Sequence, residues 1–414
     1  MRKTALLCLT LLTATLTGAS QAEDRFGYRQ GVLSYSKCLL GQRENTLPGK
    51  AYASLLEHAD EALNHPLYSV VDKTQLPASG NRHDYFSFAP YWWPNSETDD
   101  GLPYVQRDGE YNMATKTNAT DKQRMISFAK DVRQLALAYY FSDNIDYANK
   151  AARQMINWFV TPATRMAPNM AYAQAIPGRV DGRDIGIIDS RILIDVANSV
   201  ELLRDTPALS QEEYRSIKAW YADLLDWLLE SGNGREEEEA DNNHGTWYDA
   251  QVVAFALFTD QPELARTQLD ITRQRIADQF DAKGRQPEEL DRTRPWHYSN
   301  FNLEAYARLV DYADRLGLGQ WRDDNVERKL RRGFKFVAEH ALQDASWPYQ
   351  ELNGFDPGTA LGAMMAAALL FDDPAITQAA ARLAKQQPGA VEQLLYSPFH
   401  ALPKVSECVL PRNG

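Results

Sequence analysis

The segment MISFAKDVRQLALAY, residues 125–139, decides the fold class. Its large apolar side chains recur three or four residues apart, at Met125, Phe128, Val132 and Leu135. That spacing puts them on one face of an α-helix, and such a face has to be buried against a partner. The segment therefore predicts a long amphipathic helix inside a helical domain.

The same period continues along the chain, whereas the alternation typical of strands is scarce. Ser210 followed by Glu213 is a capping-box signature at the start of one of the helices. The predicted helices are 51–64, 144–159, 188–204, 210–231, 246–259, 262–281, 300–316, 324–342, 358–371 and 374–386. Because they follow one another in antiparallel-looking pairs, we predict an all-α (α/α) toroid, an incomplete barrel of helical hairpins with a central cleft. Closure of the ring is inferred by analogy, since pairing alone does not force it.

The first 22 residues read as a secretory signal peptide. Arg2 and Lys3 form a positive region, an apolar run follows over 5–16, and Ser20-Gln21-Ala22 is a cleavage site. We therefore expect a periplasmic or secreted protein. Two cysteines remain after cleavage, Cys38 and Cys408, and the sequence leaves open whether they pair or stay as thiols.

Residues 23–414 are predicted to form a single domain, because no linker or composition break divides them. Residues 23–47 look irregular. Residues 65–117 carry several prolines and glycines and little helical periodicity, which predicts a long loop of functional interest. The four glutamates at 236–239 are interpreted as a solvated loop.

Composition excludes several classes of function. The net charge of −12 argues against a nucleic-acid partner, and no stretch after the signal peptide is apolar enough to span a membrane. No Cys/His spacing indicates a metal site, and no glycine-rich phosphate loop indicates a nucleotide cofactor. We therefore expect no metal and no cofactor. The oligomeric state is left open.

The first polar motif is Asn242-Asn243-His244, followed by Gly-Thr-Trp-Tyr and then a helical run. Side chains at a helix start are well placed to face a cleft. Because Asn is also a good N-cap, the motif could equally serve only to begin a helix.

The second motif is EELDRTRPWHYSN, residues 288–300. It brings Arg292, Arg294, His297 and Tyr298 within seven residues, with a proline that ends any preceding helix. Each residue alone has an ordinary structural explanation, as a surface ion pair or as core packing. Together with the first motif, the set fits β-elimination at a uronic acid.

That reaction needs three kinds of group. Asn and Arg neutralise the uronate carboxylate, so that negative charge can build up when the C5 proton leaves. A base takes that proton, and an acid protonates the departing O4. His and Tyr suit these tasks, and a nearby Arg lowers a Tyr pKa toward the range in which a phenolate base forms.

The two motifs resemble those of the alginate lyase superfamily, secreted polysaccharide lyases with helical toroid folds. In that family an Asn-Asn-His motif is followed about fifty residues later by an Arg and a Tyr, as by Arg292 and Tyr298 here. The tract DYFSFAPYWWP, residues 84–94, is also similar to one found in the branch of alginate and glucuronan lyases. The resemblance implies a toroid with a central substrate cleft.

The resemblance also implies roles. Asn243 neutralises the carboxylate, and His244 assists it or acts as the base where proton and leaving group lie on opposite faces. Tyr298 is the acid, and also the base in syn elimination. The family spacing between Arg and Tyr is one residue longer, so either Arg292 or Arg294 could be the functional arginine, and we prefer Arg292.

The last three aromatic side chains of the 84–94 tract, Tyr91, Trp92 and Trp93, suit the apolar faces of sugar rings. The alternative is that two of the three aromatic residues anchor the long loop in the core. The predicted substrate-binding residues are Tyr91, Trp92, Trp93, Asn242, Arg294 and His297.

We therefore expect a polyuronate lyase that leaves 4,5-unsaturated uronic ends on an anionic polysaccharide. Alginate, polymannuronate first, is the expected substrate, and glucuronan is the alternative. A glycoside hydrolase on a similar toroid would need two carboxylates from Asp241, Asp249, Glu288 and Glu289. A carbohydrate-binding protein without turnover is the third possibility. The sequence fixes neither the uronate epimer nor endo or exo action.

Overall fold

The structure is a computed structural model that describes residues 26–40, 46–319, 321, 325–342 and 347–396. Most of these residues are helical, which confirms the predicted all-α class. The predicted signal peptide and Cys408 lie outside the described residues. Cys38 is disulfide-bonded. In the part of the chain that the structure describes, no helix is long and apolar enough to cross a membrane.

The fifteen described helices are numbered here in chain order. They are α1 (Gln30–Leu40), α2 (Leu47–Leu63), α3 (Lys122–Ser142), α4 (Ile145–Met155), α5 (Leu193–Leu203), α6 (Gln211–Glu230), α7 (Gly232–Glu238), α8 (Asn243–Phe258), α9 (Pro262–Gln279), α10 (Pro287–Leu290), α11 (Pro295–Arg315), α12 (Asn325–Leu342), α13 (Leu361–Leu370), α14 (Pro374–Gln386) and α15 (Glu392–Leu395).

Seven of the helices pack side by side into a closed ring. The order around the ring is α2, α3, α5, α8, α11, α13, α15 and back to α2. Helices α4, α6, α9, α12 and α14 pack outside this ring as the second members of hairpins. The inner helix α8 is buried along nearly its whole length, as expected for a helix covered on every side. The predicted toroid of hairpins is confirmed.

Three sequence predictions fail in detail. Residues 23–47 are not irregular throughout, because α1 lies within them. The expected acidic loop is the helix α7, and Glu237 within it is fully buried. Helices α8 and α11 begin three and five residues earlier than expected, at Asn243 and Pro295. Asn243 and His244 therefore lie in the first turn of α8, and His297 and Tyr298 lie in the first turn of α11.

The long loop is confirmed, although it contains short strands. They are β1 (Phe86–Phe88), β2 (Trp92–Trp93), β3 (Val105–Gln106) and, beyond α4, β4 (Tyr172–Ala175). Strand β1 pairs with β4 in parallel, and β2 pairs with β3 in an antiparallel manner. These pairings hold the loop against the ring. Tyr91 and Asp108 flank the β2–β3 pair, so the pairing also sets their positions.

A buried ion pair fixes the start of α8. Asp249 accepts hydrogen bonds from Arg275 Nε at 2.8 Å, Gln268 Nε2 at 2.8 Å and Thr272 Oγ1 at 3.0 Å, which ties α8 to α9. Arg275 also donates to the carbonyl oxygen of Ala240 at 2.6 Å. The outer helix thus holds the turn that leads into the first polar motif.

Gly245 is required by the same packing. A Cβ atom there would lie 2.2 Å from both the Ala240 carbonyl oxygen and Arg275 Nη1. Any larger residue would push the first turn of α8 away from the turn that precedes it.

The substitution Asp249→Asn tests this account. It leaves the Arg275 guanidinium buried without its counter-charge, and we expect it to lower the free energy of unfolding by roughly 3 kcal/mol. Urea denaturation measures the change. The matched control is Asp270→Asn on the exposed face of α9, with an expected change within about 0.5 kcal/mol. Equal effects of the two substitutions would contradict the assignment.

Candidate active site

A cavity of about 1090 Å³ occupies the centre of the ring. Inner helices α3, α5, α8, α11 and α13 supply its walls, and the long loop supplies residues at its edge. Asn243, His244, Arg292 and Tyr298 all line it. The structure therefore brings the four predicted catalytic residues together, although the two motifs are about fifty residues apart in the chain.

Asn242 and Asn243 play different parts at the start of α8. The side-chain oxygen of Asn242 accepts the backbone N–H of His244 at 3.0 Å, which makes Asn242 the N-cap. Asn243 is buried, and Glu289 accepts its backbone N–H at 2.6 Å and its side-chain Nδ2 at 2.8 Å. Since Nδ2 carries two hydrogens, one is left for a ligand in the cavity.

Glu289 is an unusual carboxylate. Burial raises its pKa to about 7, against the hydrogen bonds from Asn243, which lower it. It does not line the cavity but lies behind Asn243. Its two oxygens fix the plane of the Asn243 amide, because each accepts a different N–H of the same residue.

His244 is held by a second buried carboxylate. Its Nδ1 lies 2.8 Å from Glu237 Oε1. In the neutral ring, Nδ1–H donating to this carboxylate leaves the lone pair on Nε2. Burial raises the pKa of Glu237, and the neighbouring His244 opposes that shift. The pair fixes both the orientation and the tautomer of His244.

Arg292 lies directly over the Tyr298 ring, with its guanidinium carbon 3.9 Å from the ring centroid. Asp108 holds it there by accepting Nη2 at 2.7 Å and Nε at 3.3 Å. Burial opposes ionisation of Asp108, yet the hydrogen bonds and charge of Arg292 lower its pKa. Gly109 lets the loop come this close, because a Cβ atom there would lie 2.3 Å from Thr293 Oγ1.

Tyr298 donates its hydroxyl hydrogen to the Tyr91 hydroxyl oxygen at 2.9 Å. Burial, and then the nearby Tyr91, raise the pKa of Tyr298 well above its ordinary value, whereas Arg292 lowers it. Arg292 thus acts on this pKa in the expected direction, but burial outweighs the cation. Tyr298 is a protonated phenol.

The other predicted binding residues separate into two groups. Tyr91, Asn242 and His297 line the cavity, whereas Trp92 and Trp93 do not. The two indoles lie in the β2–β3 ribbon next to Tyr91, and their stacking on sugar stays a prediction. Arg179 and Arg107 cover their rings, at 5.0 Å and 5.1 Å from the centroids.

His297 and Arg294 also differ in position. Burial, followed by the charges of Arg294, Arg191 and Arg292, lowers the pKa of His297 to about 4. Its ring is stacked parallel to that of Phe301, and it faces the cavity as a neutral group. Arg294 occupies the N-cap position of α11 and does not line the cavity. The geometry thus places Arg292, and not Arg294, against Tyr298.

The sequence did not reveal which carboxylates support the site. Glu237 lies in a run of four glutamates that looks solvated in the sequence, yet it is buried. Its partner His244 lies in the first turn of α8, and that contact is visible only in the structure. Asp108 comes from the long loop, 184 residues before Arg292. In the described chain, no cluster of three or more His, Cys, Asp or Glu side chains has the geometry of a metal site.

Comparisons with known proteins agree with this geometry. The alginate lyase family matches residues 69–347. The crystal structure of an alginate lyase from Bacteroides ovatus is 31% identical, with a TM-score of 0.83, and the match covers 89% of this chain and 98% of that one. The comparison with curated proteins finds no match.

Alginate lyase A1-III is similar in fold. The enzyme from Sphingomonas species A1 is 14% identical, with a TM-score of 0.50, over 84% of this chain and 95% of that one. A histidine-to-alanine variant of A1-III complexed with tetrasaccharide is 14% identical, with a TM-score of 0.55. That match covers 92% of this chain and 99% of the variant's chain. The family match and the Bacteroides relative show that this chain belongs to the alginate lyase family and is a polysaccharide lyase.

Proposed function

We propose that the protein cleaves alginate by β-elimination, with polymannuronate as its first substrate, and leaves 4,5-unsaturated uronic ends. The observation that carries the proposal is the meeting of Asn243, His244, Arg292 and Tyr298 on the wall of one cavity. The Bacteroides relative is described as an alginate lyase, and A1-III has been crystallised with a tetrasaccharide. Both support alginate as the substrate.

The first task of the site is to neutralise the uronate carboxylate. The free amide hydrogen of Asn243 faces the cavity, and Glu289 fixes its direction. Arg292, which belongs to the second motif, adds a positive charge to the cavity wall. A preorganised donor and a cation lower the energy of the dianionic intermediate that forms when C5 loses its proton.

The second task is proton transfer. The C5–H bond breaks, its electrons form the C4–C5 double bond, and the C4–O4 bond breaks as O4 gains a proton. Tyr298, which is protonated, is the acid that donates to O4.

The base depends on the substrate. In mannuronate the C5 proton and O4 lie on the same face, so one side chain can serve both. Tyr298 first releases its phenolic proton to solvent, then takes the C5 proton as the phenolate and passes that proton to O4. Arg292 over its ring and the Tyr91 hydroxyl beside it stabilise the phenolate that this requires. In guluronate, the C5 epimer, the two groups lie on opposite faces, and His244 Nε2 takes the proton.

The same chemistry extends to glucuronan, in which the C5 proton and O4 also lie on one face. The hydrolase alternative has less support. Of its four proposed carboxylates Asp241, Asp249, Glu288 and Glu289, none is among the described residues that line the cavity.

We also propose that the protein is exported, on the basis of residues 1–22.

The acid is tested with Tyr298→Phe. Release of unsaturated ends is followed by ultraviolet absorbance on polymannuronate, polyguluronate, glucuronan and hyaluronan. The wild-type protein should act first on polymannuronate, and the variant should lose about 10³-fold in kcat, because the proton donor is gone. Its KM should stay within about threefold, because the ring remains in place.

The control for this experiment is Tyr139→Phe, a partly buried tyrosine of α3 outside the cavity wall. It should retain wild-type turnover. Absence of any absorbance change across the panel would overturn the proposed function, and full activity of Tyr298→Phe would overturn only the assignment of the acid.

The base is tested with His244→Ala. On polyguluronate we expect a loss of at least about 10²-fold in kcat/KM, since the base is removed. On polymannuronate the loss should be at most about tenfold, because Tyr298 acts there as both the base and the acid. Glu237→Gln should give the same pattern with smaller losses.

His65→Ala is the matched control, since this histidine pairs with Asp131 away from the cavity. Equal losses of the His244→Ala variant on both polymers would show that His244 serves the carboxylate and not the C5 proton. If the wild-type enzyme cleaves only polymannuronate, a loss there above about 10²-fold leads to the same conclusion about His244.

A further inference from the structure

Most of the positively charged side chains that line the cavity form ion pairs with carboxylates of the protein. Arg292 pairs with Asp108 at 2.7 Å, Lys122 with Asp189 at 2.8 Å, Arg308 with Asp195 at 3.0 Å and Arg315 with Asp311 at 2.8 Å. Two arginines of the same wall differ. Among the described residues, neither Arg183 nor Arg191 forms an ion pair, although both line the cavity.

Arg183 is held from behind by an amide and not by a carboxylate. Its Nη2 donates to Gln174 Oε1 at 3.0 Å, and its buried Nε has no hydrogen-bond partner. Asp184, Asp189 and Glu237 are the charged groups near it, and none comes within bonding distance. Nε is enclosed by protein, but Arg183 as a whole is only partly buried and lines the cavity, so its remaining donors can bind an anion there.

Gln174 supports Arg183 from a strained position. Its φ angle is +51°, in the left-handed region that residues other than glycine rarely occupy. Ser87 Oγ accepts its backbone N–H at 2.8 Å, and the buried Asp189 accepts its Nε2 at 3.1 Å. Strain kept in place by surrounding bonds is typical of functional sites. Gln174 thereby presents its carbonyl oxygen to Arg183.

Arg191 is held by aromatic rings. Its guanidinium carbon lies 4.9 Å from the Phe301 ring centroid and 5.8 Å from that of Trp247. One hydrogen bond, from Nη1 to the carbonyl oxygen of Ile188 at 3.0 Å, fixes its direction. Asp189, Glu304 and Arg308 are the charged groups around it. A guanidinium stacked in this way retains donors for an anion.

The two arginines bracket the catalytic residues. A 3₁₀ segment, Asp184–Ile192, runs along the wall between them, which separates their backbones by roughly 15 Å at about 2 Å per residue. Arg183 lies on the side of Glu237 and His244. Arg191 lies on the side of His297, whose ring is stacked on the same Phe301.

We propose that Arg183 and Arg191 bind the carboxylates of uronates on either side of the linkage that is cleaved. This inference rests on the proposed function, and it adds a substrate class to it. A polymer that carries a carboxylate on every sugar satisfies both arginines and Asn243 at once. A polymer in which uronates alternate with uncharged sugars satisfies fewer of them. The two arginines therefore select homopolyuronates.

The experiment measures binding without turnover. Arg183→Met and Arg191→Met are each combined with Tyr298→Phe, and the dissociation constant of a mannuronate hexasaccharide is measured by calorimetry. Each should rise at least about tenfold, the effect of losing one charged hydrogen bond. The rise should shrink as salt increases, because the lost contact is ionic.

Arg179→Met in the same background is the matched control. It removes the same charge from a guanidinium that lies on Trp92, outside the cavity wall. Its dissociation constant should stay within about twofold, well below the charged-contact effect. Arg183→Lys and Arg191→Lys keep the charge and should recover part of the affinity. If a Met variant does not fold, the dissociation constant of the corresponding Lys variant is measured in its place.

Three results would overturn the inference. They are unchanged affinity in both Met variants, an equal loss in the Arg179→Met control, or an equal loss of affinity for a neutral mannose hexasaccharide. Failure of the proposed function looks different, because the wild-type protein would then release no unsaturated ends from any polyuronate. Active wild-type enzyme with unchanged Met variants would refute the arginine sites alone.

Discussion

The hydrogen bonds between Asn243 and Glu289 join the two halves of the site. One buried carboxylate accepts both the backbone and the side-chain N–H of the same asparagine, across 46 residues of chain. These bonds offset only part of the cost of burying the Glu289 carboxylate, because its pKa is still raised to about 7. They fix the start of α8 relative to the turn before α11, and thereby the distance between the Asn-His and Arg-Tyr motifs.

The same arrangement recurs at each catalytic group. Glu289 lies behind Asn243, Glu237 behind His244, and Asp108 beside Arg292. In each case a carboxylate orients a donor or a cation whose other side faces the cavity. Such preorganisation matters for elimination, because the new charge on the substrate appears faster than a flexible side chain can be recruited. It also allows the proposed polyanionic substrate to bind near these acidic residues, because their charges are already paired within the protein.

Much of this was visible in the sequence, for physical reasons. Apolar spacing such as that of residues 125–139 predicts helices directly, and the two polar motifs supplied all four residues that meet at the cavity. The supporting carboxylates were not predicted, because Glu237 and Asp108 act through contacts that depend on how the ring closes. Trp92 and Trp93 were predicted to bind sugar from their chemistry alone, and their place in the β2–β3 ribbon could not be predicted from it.

The central claim is that the chain breaks the C4–O4 bond by elimination. Cleavage of polymannuronate in water enriched in heavy oxygen, followed at once by mass spectrometry, tests it most directly. Elimination gives products with an unsaturated terminal sugar and no heavy oxygen at the new reducing end beyond that of an enzyme-free control. Saturated products that carry heavy oxygen at that end would contradict it, because water would then have been the attacking group.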